Sequence, residues 1–205
     1  MTRRRVLEIA VAAGVVLLLL AVFLVRPTGK GPGLAMPTAL FTRVQGDPPD
    51  FATGSYEARI VPSSDSGRVA VLYPVQFEVR SELYITALNR EGFHLTLENR
   101  RNADNTPKAV GWLTPVELWV VVGYTWGTVS PGGDLYLMNP ETGLAAGLWA
   151  SPDSGRTQAV GLEAQGDRLT VHLVHFDENM DHPTDSTVVL PTGALLEARR
   201  TLGRG

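Results

Sequence analysis

A chain of 205 residues, 44% hydrophobic and 19% charged, can supply one domain with a proper core, or two very small ones, once any membrane segment is set aside. Cysteine is absent, which excludes a disulfide scaffold, covalent c-type haem attachment, cysteine-ligated zinc or iron–sulfur clusters and a lipidated N-terminal cysteine. Five of the 18 basic residues but one of the 21 acidic residues lie in the first 30, so the remainder carries a formal charge near −7, which argues against nucleic acid or anionic lipid as the main ligand.

Residues 1–5 form a short basic tail containing Arg3, Arg4 and Arg5. Residues 6–25 follow as a nearly continuous apolar run, from Val6 through Leu17, Leu18, Leu19 and Leu20 to Phe23 and Val25. A helix of that length spans ~30 Å, the thickness of a bilayer's hydrocarbon core. Its one charge, Glu8, lies in the first turn, beside the positive end of the helix dipole and near the headgroups. Three arginines before the run against Arg26 and Lys30 after it predict a cytoplasmic N-terminus and an exported C-terminal domain. Arg26-Pro27 follows the run where a cleaved signal peptide would carry a small-x-small site, so the segment reads as an uncleaved anchor. Thr2-Arg3-Arg4-Arg5-Val6-Leu7 resembles a twin-arginine export signal over six residues, with Val6 at the usual Phe and Glu8 where Lys is common. The arginines are read instead as the anchor's basic flank. Arginine outnumbers lysine 16 to 2 and no N-x-[ST] sequon occurs, a composition that reads as bacterial.

Residues 26–40 are a Pro/Gly-rich linker, and residues 41–205 the exported domain. The glycine run Gly29 to Gly33 is not a phosphate loop, which needs a strand before it and a helix after it. From Tyr56 the pattern becomes short segments of period two. Tyr56-Ala58-Ile60, Val69-Val71-Tyr73, Phe77-Val79, Leu83-Ile85-Ala87 and Phe93-Leu95-Leu97 come first. Val116 to Val122, Leu135-Leu137, the segment around Leu148-Trp149, Leu169-Val171-Leu173, Val188 to Leu190 and Leu195 to Ala198 complete the series. Gly, Pro, Asn and Asp separate them. Only Gly193–Leu202 sustains a helical period. The expectation is an all-β domain, a β-sandwich or partly open antiparallel barrel, preceded by one transmembrane helix. The Pro115-to-Tyr124 run is apolar at successive positions and predicts a strand buried on both faces, inside this domain or against another subunit.

Two turns share a sequence, Ser63 to Arg68 and Ser151 to Arg156, each with Asp-Ser-Gly and each after a Thr-Gly pair. This reads as shared turn chemistry rather than a duplicated unit: Asp bonds its own backbone and Gly takes the positive φ. Asp134 to Gly143 resembles the strand-and-turn segment of one β-propeller blade; it occurs once, and a propeller needs at least four blades. A hairpin with a blade-like turn is expected.

Candidate sites are few. Asp177, Asn179 and Asp181 place oxygen ligands at alternate positions, as Ca²⁺ would require. His182 stands where an EF-hand needs Gly and Val188 where it needs Glu, so an acidic hairpin loop is the plainer reading. His172 and His175, three apart in one strand, point to opposite faces and cannot share a metal without a bulge. Ser130 lies in Thr-Val-Ser-Pro-Gly-Gly, not in a nucleophile elbow, and Glu141 and Asp153 flank turns. No catalytic constellation is evident, and no cofactor is expected beyond that Ca²⁺ candidate. Trp112, Trp119, Trp126 and Trp149 belong mostly to the core, with a partner hot spot or a rim resting on the membrane interface as their functional reading. The expected function is a non-enzymatic accessory or assembly subunit of a bacterial inner-membrane complex, photosynthetic, respiratory, secretory or of the envelope. It would contact the bilayer and other integral membrane proteins through its helix and its periplasmic β-domain. A tethered ligand- or Ca²⁺-binding sensor is the alternative, and a membrane-anchored hydrolase the third reading.

Overall fold

The computed structural model describes residues 38–39, 41–45, 55–87, 90–97, 104–127 and 130–203. The predicted tail (1–5), the anchor (6–25) and residues 26–37 of the linker lie outside them. No helix among the described residues is long and apolar enough to cross a membrane.

The described chain is all-β with one short helix. The elements are β1 (Thr38–Ala39), β2 (Phe41–Gln45), β3 (Arg59–Pro62), β4 (Arg68–Tyr73), β5 (Glu82–Ala87), β6 (Arg90–Leu97) and β7 (Asn105–Thr114). They continue with β8 (Glu117–Tyr124), β9 (Asp134–Met138), β10 (Leu144–Trp149), β11 (Thr157–Gln165), β12 (Arg168–His175), β13 (Thr184–Val189) and α1 (Ala194–Leu202). The strands form three antiparallel sheets, ordered β2-β6-β5-β4-β3, β1-β10-β9-β8-β7 and β11-β12-β13. Apart from β1 and β2, which add to the edges at β10 and β6, each sheet is an up-and-down meander of consecutive strands.

Alternation along the middle sheet explains the stacking. Leu118, Val120 and Val122 of β8 enter one core with Leu72, Leu83, Ile85 and Leu95 of the first sheet. Val121 of β8, with Leu135 and Leu137 of β9, enters a second core with Leu162, Val171 and Leu173 of the third sheet and Ala198 of α1. The middle sheet is thus covered on both faces, as the Val120-Val121-Val122 run predicts. Each such side chain contributes ~1.5–3 kcal/mol on burial. The architecture is therefore a stack of three sheets, not the two-layer sandwich or partly open barrel that strand count alone suggests. Meander sheets are also the units of propeller blades, but three do not reach the number that closes a ring.

Asp134 to Gly143 forms the expected hairpin segment: β9, then a turn in which the Gly143 N–H donates to the Asn139 carbonyl at 3.0 Å. Gly143 has φ +69°, and a Cβ there would collide with the Phe41 carbonyl. The two Asp-Ser-Gly turns do different topological work. Ser63 to Arg68 closes the β3–β4 hairpin, whereas Ser151 to Arg156 carries the chain from the middle sheet to the third, as shared turn chemistry predicts. The positive φ falls on Ser66 (55°) and Ser154 (58°), joined by Gly155 (96°), so in the first turn it is serine and not glycine that takes it.

Several strands escape the sequence pattern. β7 is interrupted by Pro107 and Gly111 and carries register shifts at Pro107/Ala109 and Trp112/Thr114, which break the period of two. β11 has one at Ala159/Gly161. Conversely, Phe77-Glu78-Val79 is a turn with Glu78 at φ +59°. Leu195 to Ala198 lies in α1, where the residues share the helical period of Gly193–Leu202. Pro62 and Pro107 both sit on edge strands, where a missing N–H costs no ladder bond.

Candidate functional site

Antiparallel order brings the end of β8, the starts of β7, β9 and β11, the end of β10 and the β12–β13 loop to one end of the stack. They enclose a cleft of about 700 Å³, within the ~300–1,000 Å³ usual for small-molecule sites. Its floor is backbone. A Cβ on Gly123 would collide with the Gly132 carbonyl, one on Gly132 with the Ala159 carbonyl, and one on Gly133 with the Val122 carbonyl. Without side chains there, the middle and third sheets meet directly: Gly133 and Ala159 exchange backbone hydrogen bonds of 3.0 and 2.9 Å.

The walls are tied together by buried polar groups. Gln158, 4% exposed, accepts from the Gly132 N–H at 3.0 Å and donates to the Gly155 carbonyl at 2.8 Å. Asp134 accepts from the Ser151 N–H at 2.8 Å. Among the described residues, the only charged one lining the cleft is Asp134.

Tyr124 and Trp126 form the rim and are 51% and 44% exposed. Thr125 between them is fully buried. The Trp126 indole N–H donates to Asp104 at 3.2 Å, fixing the edge of the ring. The other three tryptophans pack against the cores. Trp112 joins the first core and donates to the Val61 carbonyl at 2.9 Å. Trp119 and Trp149 join the second, and Trp119 lies over its cross-strand partner Gly111.

A polar network braces the β10–β11 loop behind the cleft. The Thr157 hydroxyl donates to Asp153 Oδ2 at 2.7 Å and lies 2.7 Å from His175 Nδ1. A carboxylate only accepts, so the hydroxyl proton points to Asp153 and its lone pair takes the proton of Nδ1–H. A nucleophilic triad needs the imidazole between hydroxyl and carboxylate; here the hydroxyl is in the middle, and the arrangement holds the loop. Burial pushes the Asp153 carboxyl up, but bonds from Thr157 and Ser151 more than offset it and leave its pKa below the ordinary value. Ser130, buried at the cleft wall, also lines an adjacent 330 Å³ pocket with Lys108, whose ammonium burial pushes down.

The remaining sequence candidates lie apart. Asp177 Oδ1 accepts from the N–H groups of Asn179 and Asp181, both at 2.9 Å, and these bonds, the Asp181 one first, hold its carboxyl below the ordinary range. Its oxygen closes the loop on itself. Among the described residues no group of three or more His, Asp or Glu side chains could hold a metal ion. His172 and His175 are both exposed, with different partners: Glu163 at 3.9 Å and Thr157. Glu141 forms ion pairs with Arg43 at 3.1 Å and Arg68 at 2.9 Å, joining the β9–β10 turn to the first sheet. Sequence reasoning missed the cleft. Its signals were Gly123 and Gly132-Gly133 beside strand ends, and a Tyr-x-Trp step leaving a buried strand.

A crystal structure from Clostridium novyi NT, of a protein described as a "putative conserved lipoprotein", has a similar fold, with a TM-score of 0.66 at 24% identity. The match covers 77% of this chain and 99% of that one. No curated protein matches the chain. Residues 78–189 match the family described as "Domain of unknown function (DUF4652)", a span that holds every residue lining the cleft while β1 to β4 and α1 lie outside it. The chain belongs to that family.

Proposed function

We propose that this protein is a bacterial membrane-tethered domain, with a cytoplasmic N-terminus and the β-stack outside, that acts by binding and not by catalysis, as an accessory subunit of an inner-membrane complex. The observation that carries the reading is the apolar run of residues 6–25 directly after three arginines. The similar Clostridium fold is described as a lipoprotein, which supports a tethered role for such a stack. This chain has no cysteine to lipidate, so its helix would serve as the tether. Purification from native membranes in mild detergent through a C-terminal tag, with mass spectrometry, tests it. Stoichiometric membrane proteins are expected; a lone monomer across several detergents overturns the accessory role. Protease accessibility in spheroplasts tests the topology, with digestion of the β-stack from outside as the expected result.

A second reading, a tethered ligand-binding domain, is favoured by the cleft. Its polar ties hold it open in advance, and preformed sites of this size are where small molecules bind.

A further inference from the structure

We infer that the cleft at the end of the stack binds a neutral saccharide, with the faces of Tyr124 and Trp126 as the stacking platform. This rests on the ligand-binding reading and is independent of partner docking. Three observations carry it, and each narrows the chemistry.

The first is the rim. Tyr124 and Trp126 both line the cleft, half-exposed, with the indole edge held by Asp104 at 3.2 Å. A ring anchored by its edge offers a flat apolar face without having to be ordered on binding. Pyranose rings present such a face of C–H groups, with their hydroxyls directed outward around the ring. The second is the lining. Ser130 and Ser154 supply hydroxyl groups, and the carboxylate of Asp134 supplies an acceptor. Asp134 retains acceptor capacity beyond the Ser151 N–H that it already holds. Among the described residues no lysine or arginine lines the cleft and Asp134 is the one charged group there, so the described lining suits a ligand that is neutral and rich in hydroxyls. The third is the floor. Gly123, Gly132 and Gly133 line the cleft and pack against the Gly132, Ala159 and Val122 carbonyls, so at these positions the floor is close-packed backbone and offers a ligand only main-chain polar groups. At about 700 Å³ the cleft has room for more than one sugar ring.

The runner-up chemistry is a quaternary ammonium ion, which aromatic faces with a nearby carboxylate also attract. It is less favoured, because its methyl groups offer no hydrogen-bond partner to the hydroxyl groups of the lining.

The test is isothermal titration of the full chain in detergent with cellotriose, chitotriose and choline. Saturable binding of either trisaccharide is expected, weakened about tenfold or more in Trp126→Ala. Thermal melting of Trp126→Ala checks that the stack is intact; Trp126→Phe, which keeps a ring, is expected to retain most of the binding. Failure of both trisaccharides to bind overturns the inference, as does sugar binding left unchanged by Trp126→Ala. Choline binding lost in Trp126→Ala, with no sugar binding, also overturns it while leaving a ligand-binding domain in place. Mass spectrometry of small molecules released from the natively purified protein tests that broader reading separately.

Discussion

Gly133 shows how much one hydrogen atom in place of a side chain can decide. Its backbone bonds to Ala159 while a Cβ would meet the Val122 carbonyl, so the three strands can converge only with glycine there. Gly133→Ala is expected to lower unfolding free energy by about 3 kcal/mol, measured by urea denaturation; an unchanged midpoint would mean that the strands can separate at no cost. Gln158 is the polar counterpart. Gln158→Leu leaves the Gly132 N–H and the Gly155 carbonyl without this partner, at a cost of about 2 kcal/mol. The same variant should increase hydrogen exchange at Gly132 before it affects α1, which distinguishes a loosened cleft from general unfolding. Neither role could be read from the sequence, because Gly-Gly and a lone Gln look like ordinary loop composition until the strands they touch are known.

At the scale of elements, α1 is held to the middle sheet by a bidentate pair: Arg199 donates to the two Glu117 oxygens at 2.7 and 2.6 Å. The Arg199 bonds, more than offsetting burial, hold the Glu117 carboxyl below its ordinary 4.5. A carboxylate depressed in the folded state stabilises fully above its unfolded pKa and loses that contribution as pH falls through the folded value. Glu117→Gln is therefore expected to be less stable than the parent by about 1 kcal/mol near neutral pH, the pair being partly exposed. The gap should close as pH drops below 4.5. Chemical denaturation at several pH values checks this, and a gap that persists in acid would assign the loss to packing. Helical period marked Gly193–Leu202 in the sequence; the partner across 82 residues carried no local signal. β7 and β11 were hidden for a related reason, since bulges answer to the curvature of a neighbouring sheet and interrupt the alternation that reveals strands.

For the whole molecule, the middle sheet serves two cores at once. Leu118 belongs to the first and Leu137 to the second, both fully buried. Replacing either with Ala is expected to cost about 3 kcal/mol, and in both variants tryptophan fluorescence and circular dichroism should report one coincident transition. Two separated transitions would mean that the outer sheets fold independently of each other. The all-β class, the hairpin after Asp134 and the two-faced burial of β8 followed from the sequence because they rest on local periodicity, turn residues and apolar runs. So did the apolar run of residues 6–25 and its basic flank, on which the proposed tether depends. The number of layers, which of the four tryptophans stands outward, and the cleft itself were decided by tertiary structure alone. Each depends on which strand ends meet across sheets, and contacts between distant residues leave no period in the chain.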